Sequence, residues 1–313
     1  MSADLEAKTL NFIIDRMQID NEWFEWDGRG FRWWAGSLAQ RVHFAPRRDL
    51  HGVPVSTLHI ETDLLAEVPA TATTWERLAA VNRLATFSAY VADVKARTVS
   101  LHTSVTLTDD NWPMARTLAL HAAALQAADA HAEAAEMARA FGAQVRATAH
   151  PERGPREVPD EMLGIVEIYQ QRGQDPPPIG TPELAQLVHL EPRPWLLAMN
   201  EPDRLLADLD FATGRPARLE LDAAVTHPAL GSGLQLRLAI PVEPDAAIAQ
   251  RLNANEAAQP DAHQLGAWCV DPERGLTFVG FVPSAACVPE LARALIYHAA
   301  GRNEWARELL FPQ

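Results

Sequence analysis

Apolar residues recur along this chain with two different periods, and the alternation between them outlines the fold before any single residue is considered. Leu10, Ile13, Ile14 and Met17 fall at helical spacing and predict an opening helix in EAKTLNFIIDRM. The runs FRWWAGSLAQRVHFAP and GVPVSTLHIETDLL are rich in β-branched and aromatic residues, and the RRDLHG between them has turn composition. They predict neighbouring antiparallel strands. TTWERLAAVNRLATF returns to helical spacing at Leu78, Val81, Leu84 and Ala85, with a Thr at its cap. SAYVADVKARTVSLHTSVTL then breaks at Asp93 to Arg97 as a hairpin would. A long helix follows from Asp110 or Asn111 with Pro113 in its first turn, where a missing N–H costs nothing. Met114, Leu118, His121, Ala122 and Leu125 form a single stripe along it.

The pattern then repeats. ARTLALHAA, from Ala115 to Ala123, returns 177 positions later as ARALIYHAA, from Ala292 to Ala300. The same shift lays WAGSLAQRVHF over FATGRPARLEL and, more loosely, LHIETDLL over LRLAIPVE and VSLHTSV over LTFVGFV. A second hairpin turn is written in Asp271, Pro272 and Gly275. Solenoid repeats run at roughly 20 to 50 residues, so a period of this length means duplicated domains. The expected division is an N-terminal helix (1–21), a first unit (22–140), a linker (141–198) and a second unit (199–313). Within the linker, a short helix is expected near Asp160 to Gln171, a stiff spacer at prolines 176 to 178, and the second unit's opening helix at 181–190. The order helix, strands, helix, hairpin, helix makes the class α+β.

Composition narrows the partners. With 48% hydrophobic and 22% charged residues the chain is that of a folded domain protein. Its 41 acids against 27 bases give a net charge of -14, which disfavours direct nucleic-acid binding and favours a basic protein partner. Arg47 and Arg48 read as a solvated turn. No apolar run approaches the roughly 18 residues of a membrane helix, and the first residues carry acids where a secretory signal needs bases. A cytoplasmic protein without membrane attachment is expected. Cys269 and Cys287 have no counterpart in the first copy and read as packing thiols.

Catalytic signatures are missing: there is no G-x-G-x-x-G, P-loop, G-x-S-x-G or H-E-x-x-H. His43, His51 and His59 come closest to a cluster, on or beside two adjacent strands, but without a carboxylate or thiol recognised at ligand spacing. No metal, cofactor or catalytic residue is therefore expected. His121 and His298, at equivalent places in the repeated helix, read as packing residues, and Asp109 and Asp110 as helix-capping acids. The unusual feature is WFEWDGRGFRWW, a hairpin turning at Asp27 to Gly30. Alternation cannot bury Trp33 and Trp34 on one face of a strand. One ring must therefore meet a helix, a second subunit or a partner. Trp23, Phe24, Trp26, Trp33 and Trp34 are the candidate residues for a partner or dimer interface.

GFRWWAG, LHIETDLL and LNANEAAQPDAHQLGAWCVDPERGLTFVGFV, with an Asn-bearing helix at Asn82 and again at Asn253 and Asn255, resemble the YbjN-like proteins and the related type III secretion chaperone fold. The resemblance implies units with a curved antiparallel sheet and helices packed on one side. It also implies small, acidic, dimeric proteins occupied with binding other proteins. The expected function is a non-enzymatic adaptor or chaperone-like homodimer that binds another protein. The alternative is a small-ligand-sensing regulatory protein of the sensory transduction regulator type.

Overall fold

The structure is a computed structural model and describes residues 3–50, 52–165, 198–201, 203–288 and 290–312. The first copy runs α1 (Ala3–Met17), β1 (Phe24–Asp27), β2 (Gly30–Trp34), β3 (Ala39–Phe44), β4 (Arg48–Leu50), β5 (Val53–Ala66), α2 (Ala72–Asn82), β6 (Ala89–Asp93), β7 (Thr98–Leu107), α3 (Trp112–Phe141) and β8 (Gln144–Val145). The second runs β9 (Ala198–Glu201), β10 (Arg204–Leu209), β11 (Ala217–His227), β12 (Gly231–Ala239), α4 (Ala246–Ala257), β13 (Ala267–Asp271), β14 (Gly275–Pro283) and α5 (Leu291–Leu310). One sheet has the order β1-β2-β3-β5-β7-β6, with β4 and β8 also pairing with β5. The other has the order β9-β10-β11-β12-β14-β13. All pairs are antiparallel and the two paths are the same.

The duplication is thus structural, and its turns are duplicated too. The Asp93 carboxylate accepts the N–H groups of Lys95 and Ala96, and the Asp271 carboxylate those of Glu273 and Arg274. Register is less faithfully kept than topology. Phe44 pairs with Leu58, and the shift that carries Phe44 onto Leu221 carries Leu58 onto Gln235, yet Leu221 pairs with Leu236. The slip keeps the core face intact, because it sets Leu236 and Leu238 against the buried Leu221 and Leu219. Without it every side chain of β12 would change face.

Local chemistry sets several boundaries. The FRWW…HFAP run folds as two strands, β2 and β3, because the bend at residues 35–38 interrupts it. RRDLHG is not only a turn: Arg48–Leu50 forms β4, closed by Asp49 accepting the Gly52 N–H at a glycine with φ of 84°. Thr71 Oγ1 caps α2 by accepting the Thr74 N–H. The residue before α3 is Asn111 rather than Asp109 or Asp110, and the helix ends at Gly142, whose φ of 62° suits a left-handed cap. The single stripe expected on α3 is wrong for its middle, where every residue from Ala122 to Ala128 is buried. The sheet covers one side of α3, while α1 and the 3₁₀ turn Glu161–Ile165 cover others. Of the linker, that turn begins where the short helix was expected. The rest of that helix, prolines 176 to 178 and the helix at 181–190 lie outside the described residues.

The chain forms two compact units, but these are not simply the two contiguous copies. Unit 1 comprises Met1–Trp75, Phe87–Glu167 and Asn253–Leu265, and unit 2 comprises Glu76–Thr86, Ile168–Leu252 and Gly266–Gln313. Each unit therefore contains a segment from the middle of the other copy, and the joints at Glu76 and Asn253 fall at equivalent places of the repeat. In unit 1 the Ser104 N–H on β7 donates to the carbonyl of Gln264 (3.1 Å). In unit 2 the Phe281 N–H on β14 donates to that of Thr86 (3.3 Å). Ser104 and Phe281 are again equivalent positions of the repeat.

Between α3 and the first sheet lies a buried polar hub. Gln126 Oε1 accepts from Thr62 Oγ1 (2.9 Å) and Gln40 Nε2 (3.3 Å), while its Nε2 donates to the Ile60 carbonyl (3.0 Å) and Ser88 Oγ (3.1 Å). Buried amides are tolerated when all their bonding capacity is used. This one ties the helix to β3 and β5 and to the approach to β6.

Candidate functional site

The Trp-rich hairpin divides into buried and presented rings. Trp33 pairs with Gln40, whose amide reaches the Ala123 carbonyl on α3, so Trp33 faces that helix and is fully buried. Trp34 points to the other face and is also buried (1% exposed). It lies edge-on to His150 with ring centroids 4.7 Å apart, and Arg156 Nη1 donates to its carbonyl (2.6 Å). The chain after α3 thus returns to the outer face of the sheet and covers it at Trp34. Trp33 and Trp34 are corrected as interface candidates: both are packing residues of unit 1 and offer no surface to another chain. Trp23 is half-buried between His150 and Arg156. Phe24 is half-buried against Trp26 and Phe31. Trp26 is 60% exposed on β1, an edge strand.

The opening helix does not extend this surface. Leu10, Ile13 and Met17 are buried and α1 packs on α3. Its Glu6 carboxylate is clasped by Arg29 (2.6 Å), Arg47 (2.7 Å) and Ser56 (2.6 Å). Burial pushes that carboxyl up, and donation from Arg47, Arg29 and Ser56 outweighs it, leaving the group below its ordinary value.

A second constellation sits on the outer face of the same sheet. His59 and Glu61 are two apart on β5 and share a face, and Glu61 pairs with His102 on β7. His59 Nδ1 lies 3.2 Å from His102 Nε2, and His102 Nε2 lies 3.8 Å from Glu61 Oε1. His43 stacks on His59 with centroids 5.5 Å apart. The segment Asn253–Leu265 completes the arrangement within unit 1: Gln264 Oε1 is 2.6 Å from His102 Nδ1, and the Pro260 carbonyl accepts from the His59 ring. Burial, aided by the neighbouring His59, pulls His102 down to about 3; burial, then Arg41 and His59, pull His43 to about 4. Burial also lowers His59 and raises Glu61. The imidazoles are therefore neutral near neutral pH, the state in which they can coordinate a metal or take up a proton. Glu61 and His102 line a cleft of about 580 Å³ together with residues of β6, β7 and Ala254, Ala257 and Ala258.

Of the histidines singled out in the sequence, His43 and His59 are brought together and His51 lies outside the described residues. The expectation that no carboxylate stands at ligand spacing is corrected, since Glu61 lies two residues from His59 on the same strand face. That signal is readable from alternation. His102 and Gln264 carry no such signal, because only the β5/β7 register and the exchanged segment bring them in.

Neither the family models, the curated proteins nor the solved structures compared with this chain gave a match. Comparison between its own two copies is more informative. Carrying β7 onto β14 puts Val279 in place of His102, its ladder partner Arg237 in place of Glu61, and Gln235 in place of His59. Unit 2 instead buries Glu220 among Arg204 (2.8 Å), Arg237 (3.0 Å) and Arg274 (3.4 Å). Its other reactive groups are quiet. Burial pushes the Cys269 and Cys287 thiols up to about 12. His298 is half-buried and is pulled to about 3 by desolvation and by the Arg302 charge. His121 is likewise half-buried.

Proposed function

We propose that this protein is a non-enzymatic adaptor or chaperone-like protein on the YbjN-like plan, which holds an extended basic segment of another protein along the edge strand β1. The observation that carries this reading is Trp26, 60% exposed on that edge beside Phe24. An edge strand offers unpaired N–H and C=O groups to an added strand, and neighbouring rings give the added strand its specificity. Glu25 faces away from the ring and Glu22 is paired with Arg153 (3.0 Å), so the basic preference rests on the net charge of -14, which attracts a basic partner over distance. The free, buried thiols fit a reducing cytoplasm. Among the described residues no helix is long and apolar enough to cross a membrane.

The test compares the chain with Trp26→Ala in capture from a native lysate, followed by titration of the captured protein's basic segments as synthetic peptides. Wild type should retain a stoichiometric protein and bind one such peptide, and the variant should lose both while melting at the same temperature. A second copy is the rival occupant of the edge, as in the expected homodimer. Light scattering that shows a dimer dissociated by Trp26→Ala would identify it.

The ligand-sensing alternative keeps one observation of its own. A cleft of about 520 Å³ on the outer face of unit 1 is lined by Arg32, Arg41, Glu61, Asp63 and Arg146, a mixed-charge lining. A metabolite that raises the melting temperature, with the shift abolished by Arg41→Gln, would favour this reading.

A further inference from the structure

We propose that His59, Glu61 and His102 form a metal site in unit 1 for one first-row divalent cation of the zinc class, held by His59 Nδ1, His102 Nε2 and a Glu61 carboxylate oxygen, with its remaining position open to the cleft. The three ligand atoms lie within 4.8 Å of one another. For metal–nitrogen bonds of about 2.0 to 2.1 Å in tetrahedral geometry, two ligand nitrogens stand about 3.3 Å apart, and His59 Nδ1 and His102 Nε2 are 3.2 Å apart. Glu61 Oε1, 3.8 Å from His102 Nε2, belongs to a half-exposed side chain, and a rotation about its end bonds would bring the oxygen to ligand distance. Two histidines and one glutamate with an open position make a set that zinc accepts, and the lack of a thiolate in that set argues against softer ions.

One of two assignments of the hydrogen bonds around the rings calls for an ion. A neutral imidazole has one N–H. His102 directs Nδ1 at Gln264 Oε1 (2.6 Å), and the His59 ring gives its proton to the Pro260 carbonyl. With the His59 proton on the nitrogen away from His102, both nitrogens that face each other at 3.2 Å are acceptors, and a cation between them would satisfy both lone pairs. Carbonyl oxygens holding the far N–H groups are what orients metal-bound histidines in general. With the Gln264 amide turned over, the same atoms form a different chain, in which Gln264 donates to His102, His102 to His59, and His59 to Pro260. That chain needs no ion. The amide as placed leaves Gln264 Nε2 without a hydrogen-bond partner, so neither orientation is favoured by its own satisfaction. The cleft of about 580 Å³ beside Glu61 and His102 gives the ion a route in and a place for a water or an anionic ligand.

Unit 2 is the internal control. Gln235, Arg237 and Val279 occupy the corresponding ladder positions and do not repeat the ligand set, so the proposed site is one per chain among the described residues.

The experiment strips the full chain with a chelator and titrates it with Zn²⁺ by calorimetry, and with Co²⁺ by visible absorption. The expected result is one equivalent bound at micromolar or tighter affinity, with the visible bands of a four-coordinate Co²⁺ site. Glu61→Gln, at a half-exposed position where folding is not at risk, should weaken binding at least tenfold, and His102→Gln should abolish the bands. Gln264→Ala, which frees the far nitrogen of His102, should weaken binding about 10-fold or more. Binding no tighter than millimolar would establish the ion-free donor chain and overturn the proposal. So would a Glu61→Gln protein of unchanged melting temperature that binds Co²⁺ with unchanged affinity and spectrum.

Discussion

Replacing Gln126 tests whether the polar hub under α3 stabilises unit 1. In Gln126→Met the side-chain length is kept and both polar functions are lost. Three well-formed bonds disappear, to Thr62 (2.9 Å), the Ile60 carbonyl (3.0 Å) and Ser88 (3.1 Å), along with two longer ones, to Gln40 (3.3 Å) and Thr103 (3.4 Å). Gln40 keeps a bond to the Ala123 carbonyl, and Ser88 keeps one to Thr103, whereas the Thr62 hydroxyl loses its acceptor. At about 1 kcal/mol for each bond, with Thr62 left desolvated, the loss is about 3 kcal/mol. Gln126→Ala adds a cavity and should cost roughly 4 to 5 kcal/mol. Urea unfolding followed by far-UV circular dichroism and by tryptophan fluorescence reads both. A Thr62→Val change made on each background separates the pairwise contribution, which should be non-additive by about 1 kcal/mol. If Gln126→Met unfolds within about 0.5 kcal/mol of wild type, the hub does not stabilise the fold and the account of α3 as a helix anchored by hydrogen bonds is wrong.

Two further predictions concern how each unit is closed. Glu6 has a folded pKa below its unfolded value, so its contribution is complete above the unfolded pKa and is lost as pH falls through the folded one. Wild type should therefore be more stable than Glu6→Gln at pH 7, with urea midpoints that converge as pH drops below about 4; a gap that widens on acidification would reverse the assignment. A fragment of residues 1–165 lacks Asn253–Leu265, the segment that bonds Ser104 and carries Gln264 and Pro260. It should bind a hydrophobic dye and unfold without a sharp transition, and a fragment carrying residues 166–313 should restore cooperativity when added. A cooperative transition of the first fragment alone at the full-length midpoint would show that the segment is dispensable.

Turns and faces were legible because their causes are local. Asp27 to Gly30, Asp93 to Arg97 and Asp271 to Gly275 each carry their own turn chemistry, and β7 and β14 begin at equivalent places of the repeat, as the recurring phrases require. The exchange of Glu76–Thr86 and Asn253–Leu265 was not legible, because it is set by contacts between residues far apart in the chain, which no local periodicity announces. The same reason hid the histidine cluster: His59 and His102 lie on separate strands far apart in the chain, and Gln264 arrives with the exchanged segment. Trp34 shows a third limit. Alternation placed it correctly on the face opposite Trp33, but its cover is His150 and the chain after α3, which carry no periodicity of their own.

The central claim is that an exposed aromatic on an edge strand receives a basic segment of another protein, and the affinity of a captured partner's basic peptide for wild type and for Trp26→Ala measures it most directly. Removing a well-packed interface tryptophan should weaken binding by about 2 kcal/mol or more, roughly 30-fold. The melting temperature should stay within a degree, because the ring is 60% exposed in the free protein. Equal affinities for wild type and variant, at equal stability, would contradict the account and move the binding surface away from β1.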